Sequence, residues 1–438
     1  MNLQEFFVSP EKANSGEYTI ATYLVELKPQ TDIMTFAEAL AIEQTTGTWL
    51  EVPEETPGLR EKHCGKVCGV LEVPAYEFEL PKDIETRKYV LQIAYPEINF
   101  GSQIPMLLST VIGNISMSGR LKLIDLKFSD AFLNGFVGPK FGIEGIRNLL
   151  GVTDRPLLNN MIKPCTGYTP EVGAKLFYQA ATGGVDIVKD DELISDPVYN
   201  RMEDRVRLYM AKAKQVYEET GEKTLYTVNI TNTAQKALDN AKRAVDLGAN
   251  ALMINYLTCG YSVLQSLSED PAINVPILAH LDFAGTMYQS HYSGLSSHLI
   301  LGKLVRLAGA DMIVYPSPYG KFNFFREKHL QIASALTYEL GRIKSVLPGP
   351  GGGIHNGVVH TLVEEMGTDC MIACGGAVHG HPMGAVAGAR ALRQVIDAAV
   401  AGIPYKDMKD TSEEVQIAYE QWGDLKGNKL KLFDLQEN

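Results

Sequence analysis

Gly183-Gly-Val-Asp-Ile-Val-Lys-Asp-Asp-Glu192 sets the β-branched Val185, Ile187 and Val188, interrupted by Asp186, between a glycine pair and four consecutive charges. Before it lies PEVGAKLFYQAATG (170–183), with apolar residues spaced i, i+3, i+4 and a closing glycine, the signature of an amphipathic helix that ends where the strand begins. An apolar strand of this kind is buried on both faces. It can finish in Lys189, Asp190, Asp191 and Glu192 only if those side chains gather at an open mouth, which is where barrel folds keep their chemistry.

Working outward, seven further runs repeat the pattern. They are PLLNNMIKP (156–164), LYTVNIT (225–231), ANALMINYL (249–257), VPILAHLDF (275–283), ADMIVYPSPYG (310–320), SVLPGPGGGIH (345–355) and CMIACGGAVHG (370–380). Helical stretches such as AQKALDNAKRAVDLG (234–248) and LILGKLVRLAG (299–309) separate them. Eight βα units predict a closed parallel (β/α)8 barrel over residues 141–438, with a helical tail from Thr411. The first 140 residues differ. YTIATYLVEL (18–27), KVCGVLEVPAYEFEL (66–80) and RKYVLQIAYPEINF (87–100) read as antiparallel strands, with a helix over DIMTFAEALAIEQTTG (32–47), so a separate N-terminal α+β domain of ferredoxin-like type is expected over residues 1–140.

A chain of 438 residues accommodates both parts. Its net charge of −12 disfavours nucleic acid and anionic membrane as partners, because no basic stripe is available to release counterions. The N-terminus shows no signal-peptide pattern and no apolar run is long enough to span a bilayer, so a cytoplasmic location is expected. The six cysteines are scattered without zinc-ribbon spacing and read as reduced thiols. His63, Cys64 and Cys68 offer three metal donors without a fourth, and ordinary packing is the preferred reading.

The strand ends carry the candidate chemistry. Adjacent carboxylates after the second barrel strand make a hard oxygen site suited to Mg²⁺. Lys163 ends the first strand and Lys321 follows the sixth, giving one lysine to exchange protons and one to meet a phosphate or a developing negative charge. Gly349 to Gly353 and Cys374 to Gly376 close the seventh and eighth strands, where backbone N–H groups reach a phosphate only if no side chain intervenes. His355, His379 and His381 follow these loops and are read as supports rather than catalysts.

Together with EQTTGTW (43–49), AYPEINF (94–100), VIGN (111–114), GPKFGIEGIR (138–147), MIKP (161–164), GGGIH (351–355) and GGAVHGHPMG (375–384), the motif GGVDIVKDDE resembles the large subunit of ribulose-1,5-bisphosphate carboxylase/oxygenase and the RuBisCO-like proteins, almost end to end. The resemblance implies that Lys189 is carbamylated by CO2 and joins Asp191 and Glu192 in binding one Mg²⁺ per subunit. It further implies a homodimer, or a multiple of dimers, with shared active sites, in which Glu43, Thr48, Trp49 and Asn114 of one subunit complete the barrel site of the other. Lys163 matches the lysine that moves protons at the enediolate, and Lys321 matches the mobile-loop lysine.

Departures from the family pattern narrow the expected substrate. Asp282, Val314 and Gly351 stand where the bisphosphate enzymes hold their second phosphate, whereas Thr48, Trp49, Lys321, Gly353, Gly375 and Gly376 keep the first, so a sugar monophosphate is expected. Cys165 replaces a further active-site lysine. The wording is similar to the 2,3-diketo-5-methylthiopentyl-1-phosphate enolases of methionine salvage, yet Asn114 stands where those enzymes carry their base lysine. The leading expectation is therefore a lyase: a Mg²⁺-dependent decarboxylase of the 3-oxo-isoapionate 4-phosphate type. The methionine-salvage enolase is the alternative, and a carboxylase or a non-catalytic sugar-phosphate binder fits less well.

Overall fold

The computed structural model describes residues 6–47, 52–322, 324–408 and 410–425. The chain divides into two compact units. The first comprises residues up to 137 together with 283–300 and 340–343, and the second comprises 138–282, 301–339 and 344 onward. Two short segments from the C-terminal half of the sequence thus group with the N-terminal unit.

In the first unit, β1 (Tyr18–Leu27) is the central strand of an antiparallel set with β2 (Lys66–Glu72), β3 (Arg87–Pro96) and β4 (Leu121–Lys127). β1 pairs with both β3 and β4, and β2 pairs with β3 on the far side. The helices Ile33–Glu43 and Ile104–Ile112 bury Ala37, Leu40, Ala41, Leu107 and Val111. Tyr23 on β1 donates its hydroxyl to the Val111 carbonyl at 2.6 Å, tying strand to helix. The run 66–80 yields a strand only to Glu72, since Pro74 and Pro81 flank a stretch that cannot continue a ladder.

The second unit is an eight-stranded parallel sheet of β5 (Leu157–Met161), β6 (Ile187–Lys189), β7 (Leu225–Asn229), β8 (Ala251–Ile254), β9 (Ile277–His280), β11 (Met312–Pro316), β12 (Leu347–Gly351) and β13 (Met371–Cys374). The remaining short strand, β10 (Gly294–Leu295), pairs with β4 in the first unit. Neighbouring barrel strands follow chain order and β13 returns to pair with β5. Between β12 and β13 the sheet closes by side-chain packing: a Cβ on Gly349 would stand 2.3 Å from Met371 Cε.

The barrel interior is filled by Leu157, Ile187, Leu225, Met253, Leu278, Met312, Leu347 and Met371, residues at alternate strand positions that stack as layers. Ordinary helix stops feed the strands. The helix Pro170–Thr182 is capped by the Thr169 hydroxyl, and Gly184 at φ 92° turns the chain into β6. No helix among the described residues is long and apolar enough to cross a membrane.

Candidate functional site

Strand alternation sorts the four charges after Val188. Lys189 is the last residue of β6 and fully buried, with its Nζ donating to the Asp190 carbonyl at 2.8 Å and to Glu192 Oε2 at 3.0 Å. Asp190 turns the other way. Its carboxylate meets Arg205 of the helix Met202–Thr220 at 3.1 Å, both side chains completely buried, and accepts from the Tyr226 hydroxyl (2.8 Å) and the Asn229 amide (2.9 Å). Asp190 is therefore not a donor to the mouth. It anchors the turn from behind, while Arg205 also binds the carbonyls of Ser195 and Asn200 and so fixes the loop after the strand.

Asp191 faces Lys163, whose Nζ lies 2.5 Å from Oδ2, while Leu193 N donates to Oδ1 at 3.2 Å. Burial alone would lower the Lys163 pKa. Hydrogen bonding to Asp191 and to the Cys165 sulfur at 3.0 Å outweighs it and raises the pKa, so the lysine is held as an ammonium. Glu192 is pushed up by burial but pulled further down by the charges of Lys189 and His280, leaving its carboxyl ionised and well below the usual carboxylate range. His280, the last residue of β9, sets Nε2 3.3 Å from Glu192 Oε2 and Nδ1 3.4 Å from Asp282 Oδ1. Sequence reading did not assign His280, although it ends a barrel strand just as Lys189 does.

Among the described residues, the cluster of side chains able to hold a metal is Glu192, His280 and Asp282, with one donor atom from each within 4.8 Å of the others. Of the other expected ligands, Lys189 borders it through Glu192, whereas Asp191 is engaged by Lys163. The donor chemistry fits a divalent cation: carboxylates crowd one strand end, and the lysine and histidine nitrogens facing them now supply the compensating contacts. His63, by contrast, pairs with Asn99 at 2.7 Å, and Cys64 and Cys68 are buried free thiols.

At the opposite side of the mouth the loops after β11 and β12 meet backbone to backbone. Lys321 N donates to the Gly352 carbonyl at 2.7 Å, and a Cβ on Gly353 would stand 2.8 Å from Lys321 N. Lys321 Nζ lies over the Phe322 ring, 5.1 Å from its centroid. Gly375 is buried against Lys163: its Cβ would come within 3.1 Å of Lys163 Cε. Gly376 is exposed and opens the short helix Gly376–His379.

The loop histidines have structural partners. His355 Nδ1 accepts from Gly357 N, His381 Nε2 meets the Glu414 carbonyl, and His379 Nε2 meets the Asn160 side chain. Of the three residues expected in place of a second phosphate site, Asp282 is part-exposed beside His280, whereas Val314 is buried and a Cβ on Gly351 would touch Val314 Cγ1 at 3.1 Å and Ala373 Cβ at 3.3 Å. Glu43 and Asn114 meet in the first unit, Asn114 Nδ2 donating to Glu43 Oε1 at 3.3 Å, and both are exposed. Thr48 and Trp49 lie outside the described residues.

Comparison with known proteins agrees with this arrangement. Residues 7–132 match the ribulose bisphosphate carboxylase large chain N-terminal domain, and residues 142–422 match its catalytic domain. A ribulose bisphosphate carboxylase-like protein of Archaeoglobus fulgidus is 52% identical over 405 residues, covering 92% of each chain. The 2,3-diketo-5-methylthiopentyl-1-phosphate enolase of Geobacillus thermodenitrificans is 43% identical over 408 residues, covering 92% of this chain and 98% of that one. The crystal structure of a rubisco-like protein (MtnW) from Alicyclobacillus acidocaldarius superposes with a TM-score of 0.86 at 38% identity, covering 93% of this chain and all of the other. With both domains matched in order and the strand-end lysines and carboxylates gathered at one mouth, the chain belongs to the ribulose bisphosphate carboxylase large-chain family, among its RuBisCO-like proteins.

Proposed function

We propose that this protein catalyses enolate chemistry on a phosphorylated keto compound, and that its net reaction is loss of CO2 from a β-keto sugar-acid monophosphate. The observation that carries the reading is the Lys163–Asp191 contact, which holds an ammonium at the mouth of the barrel and so presents a proton donor rather than a base. In such a reaction the bond from the α-carbon to the carboxylate breaks, its electron pair passes onto the keto system as an enolate, and CO2 departs. Lys163 Nζ then gives its proton to that carbon, and solvent returns one to the amine.

Lys189 as its carbamate, with Asp191 and Glu192, would hold Mg²⁺. When bound, the ion supplies Lewis-acid stabilisation of the charge that develops on the keto oxygen. Lys321 together with the bare backbone at Gly353, Gly375 and Gly376 would bind the single phosphate. The buried Val314 and the close packing at Gly351 speak against a bisphosphate and hence against a carboxylase. Glu43 and Asn114, with Thr48 and Trp49, would complete the site from a second subunit of a homodimer, where the Asn114 amide orients the substrate carboxylate.

A second reading, the enolisation of 2,3-diketo-5-methylthiopentyl 1-phosphate, is favoured by the activity named for the Geobacillus relative. It requires Lys163 or another group to act as base, because Asn114 cannot. The test is to incubate purified protein with Mg²⁺ and bicarbonate, supplying 3-oxo-isoapionate 4-phosphate and the diketo phosphate in parallel, and to follow CO2 and enol absorbance. CO2 from the first compound alone supports the decarboxylase. Enol from the second without CO2 from the first replaces it with the enolase.

A further inference from the structure

We propose that Glu365 is a positioning residue for Lys321: one oxygen of its buried carboxylate grips the loop after β11 on both sides of that lysine and so holds the ammonium at the mouth. The proposal deepens the phosphate-binding role given to Lys321 above and rests on that reading only for its effect on KM. Glu365 lies in the helix Val359–Met366 between β12 and β13, and it acts through the loop rather than on the substrate.

The loop leaves β11 at Pro316 and enters the helix Arg326–Thr337. Its backbone meets the β12 segment at two points, Ser317 N donating to the Gly351 carbonyl at 3.0 Å and Lys321 N to that of Gly352 at 2.7 Å. Those contacts fix one edge of the loop. Side chains fasten the other: the Tyr319 hydroxyl, two residues before Lys321, and Arg326 Nε, five residues after it, both donate to Glu365 Oε1. A single acceptor therefore ties the entry of the loop to its exit, with Lys321 between them.

Burial makes the grip matter. The Glu365 side chain is 7% exposed, whereas that of Arg326 is 60% exposed. A carboxylate taken out of water depends on the donors that face it, and hydrogen bonds to an ionised group are the strong ones. Behind Oε1, the second oxygen is buried without a hydrogen bond among the described residues, and His329 Nε2 stands 3.7 Å from it, too far to supply one. Burial lowers His329 to about 4, so at neutral pH it brings no compensating charge. Burial and the Glu365 charge push the Tyr319 hydroxyl up to about 12, so it stays a donor. Withdrawing the loop would strip the carboxylate of both donors, and that penalty is what keeps Lys321 in place.

Endoproteinase Lys-C, which cuts after lysine and ignores arginine, reads the loop at the Lys321–Phe322 bond in the full-length protein. Lys214, inside the helix Met202–Thr220, reads global opening in the same digest. Glu365→Met removes the grip and fills the buried position with an apolar side chain. Cleavage after Lys321 is expected to be at least about tenfold faster than in the parent, with cleavage after Lys214 within about twofold. KM for whichever phosphorylated compound the parent turns over should rise by at least about tenfold, while kcat stays within about threefold. Arg326→Met should speed the Lys321 cut in the parent and add nothing in the Glu365→Met background, because the two residues act through one contact. Glu365→Gln, which keeps an acceptor but loses the charge, should fall between parent and Glu365→Met.

Parental cleavage after Lys321 in Glu365→Met would overturn the proposal. Equal acceleration after Lys214 would do the same, since Glu365 would then support the whole unit rather than the loop, and so would a parental KM in a variant whose loop is cut faster. Should Glu365→Met fail to fold, Arg326→Met and Tyr319→Phe still decide, because both change the loop side of the contact at side chains that are not buried. Failure of the functional reading is separate: it would be selective cleavage after Lys321 in Glu365→Met together with turnover of neither compound by the parent.

Discussion

Lys163 Nζ and Asp191 Oδ2 stand 2.5 Å apart, joining the loop after β5 to the end of β6 across one strand pairing. The contact does two things at once. It keeps the lysine charged, and it aims the amine at the mouth beside Gly375, where a substrate carbon would sit.

Lys163→Met should therefore remove proton transfer, and because it also leaves the buried Asp191 carboxylate without its cation, it is compared with the parent as folded protein. A fall in kcat of about 10²- to 10⁴-fold is expected, with KM changed by less than about threefold. Steady-state rates with whichever of the two phosphorylated compounds the parent turns over check it. A variant that keeps parental turnover would assign proton transfer to another group.

Behind the site, the Arg205–Asp190 pair makes a prediction about stability. Both side chains are wholly buried, and Asp190 also takes hydrogen bonds from Tyr226 and Asn229. Arg205→Met leaves a buried carboxylate without its cation and releases the carbonyls of Ser195 and Asn200, so a loss of about 3–5 kcal/mol is expected. Urea unfolding of the metal-free protein measures it, and a loss below about 1 kcal/mol would show that the turn is held by other contacts.

How much of this was legible follows residue by residue. The eight barrel strands were readable because most are short apolar runs that end in Gly, Pro, Asn or charge and alternate with amphipathic helices, and each such run in the second unit became a strand. LKLIDLK (121–127) went unassigned although it follows the Ser118–Gly119 turn, because charges at Lys122, Asp125 and Lys127 interrupt its apolar run. The charge cluster after Val188 was readable as a site. Its division was not, because only the strand's geometry sends Asp190 backward to Arg205 and Asp191 forward to Lys163. His280 was hidden within LAHLDF, where a single histidine looks like core. Its approach to Glu192 comes from two strands separated in sequence by nearly ninety residues, a distance no local pattern spans.

Two largely buried histidines contribute to the acid response between pH 6.5 and 4. Burial lowers His329 to about 4, and burial with the Lys163 charge lowers His379 to about 4. The unfolded chain takes up these protons near pH 6.5 and the folded one only near 4, so stability is full above about 6.5 and falls as pH drops through that window. Each histidine contributes roughly 3 kcal/mol to the loss at its acid limit. His329→Gln, at a fully buried ring 5.5 Å from the tilted Tyr315 ring, should flatten the pH dependence of the urea midpoint between 6.5 and 4 relative to the parent. Parallel curves for the two proteins would contradict the assignment.

Gly353 tests the phosphate subsite through its backbone. Its φ is 93°, a conformation that alanine adopts only with strain, and a Cβ there would press to 2.8 Å on Lys321 N and 3.2 Å on Lys321 Cβ. The neighbouring turn has no slack, because a Cβ on Gly320 would lie 1.9 Å from the Gly352 carbonyl. Gly353→Ala must then push the Lys321 backbone away from β12 and spoil whatever anion the two loops share. The ammonium of Lys163, beyond Gly375 on another strand, is untouched. KM for the phosphorylated substrate should rise by at least about tenfold, equivalent to about 1.4 kcal/mol of binding, while kcat at saturation stays within about threefold. Competition by inorganic phosphate should weaken in step. An unchanged KM would mean that the phosphate is held elsewhere, and an equal fall in kcat would mean that the loop carries chemistry as well as binding.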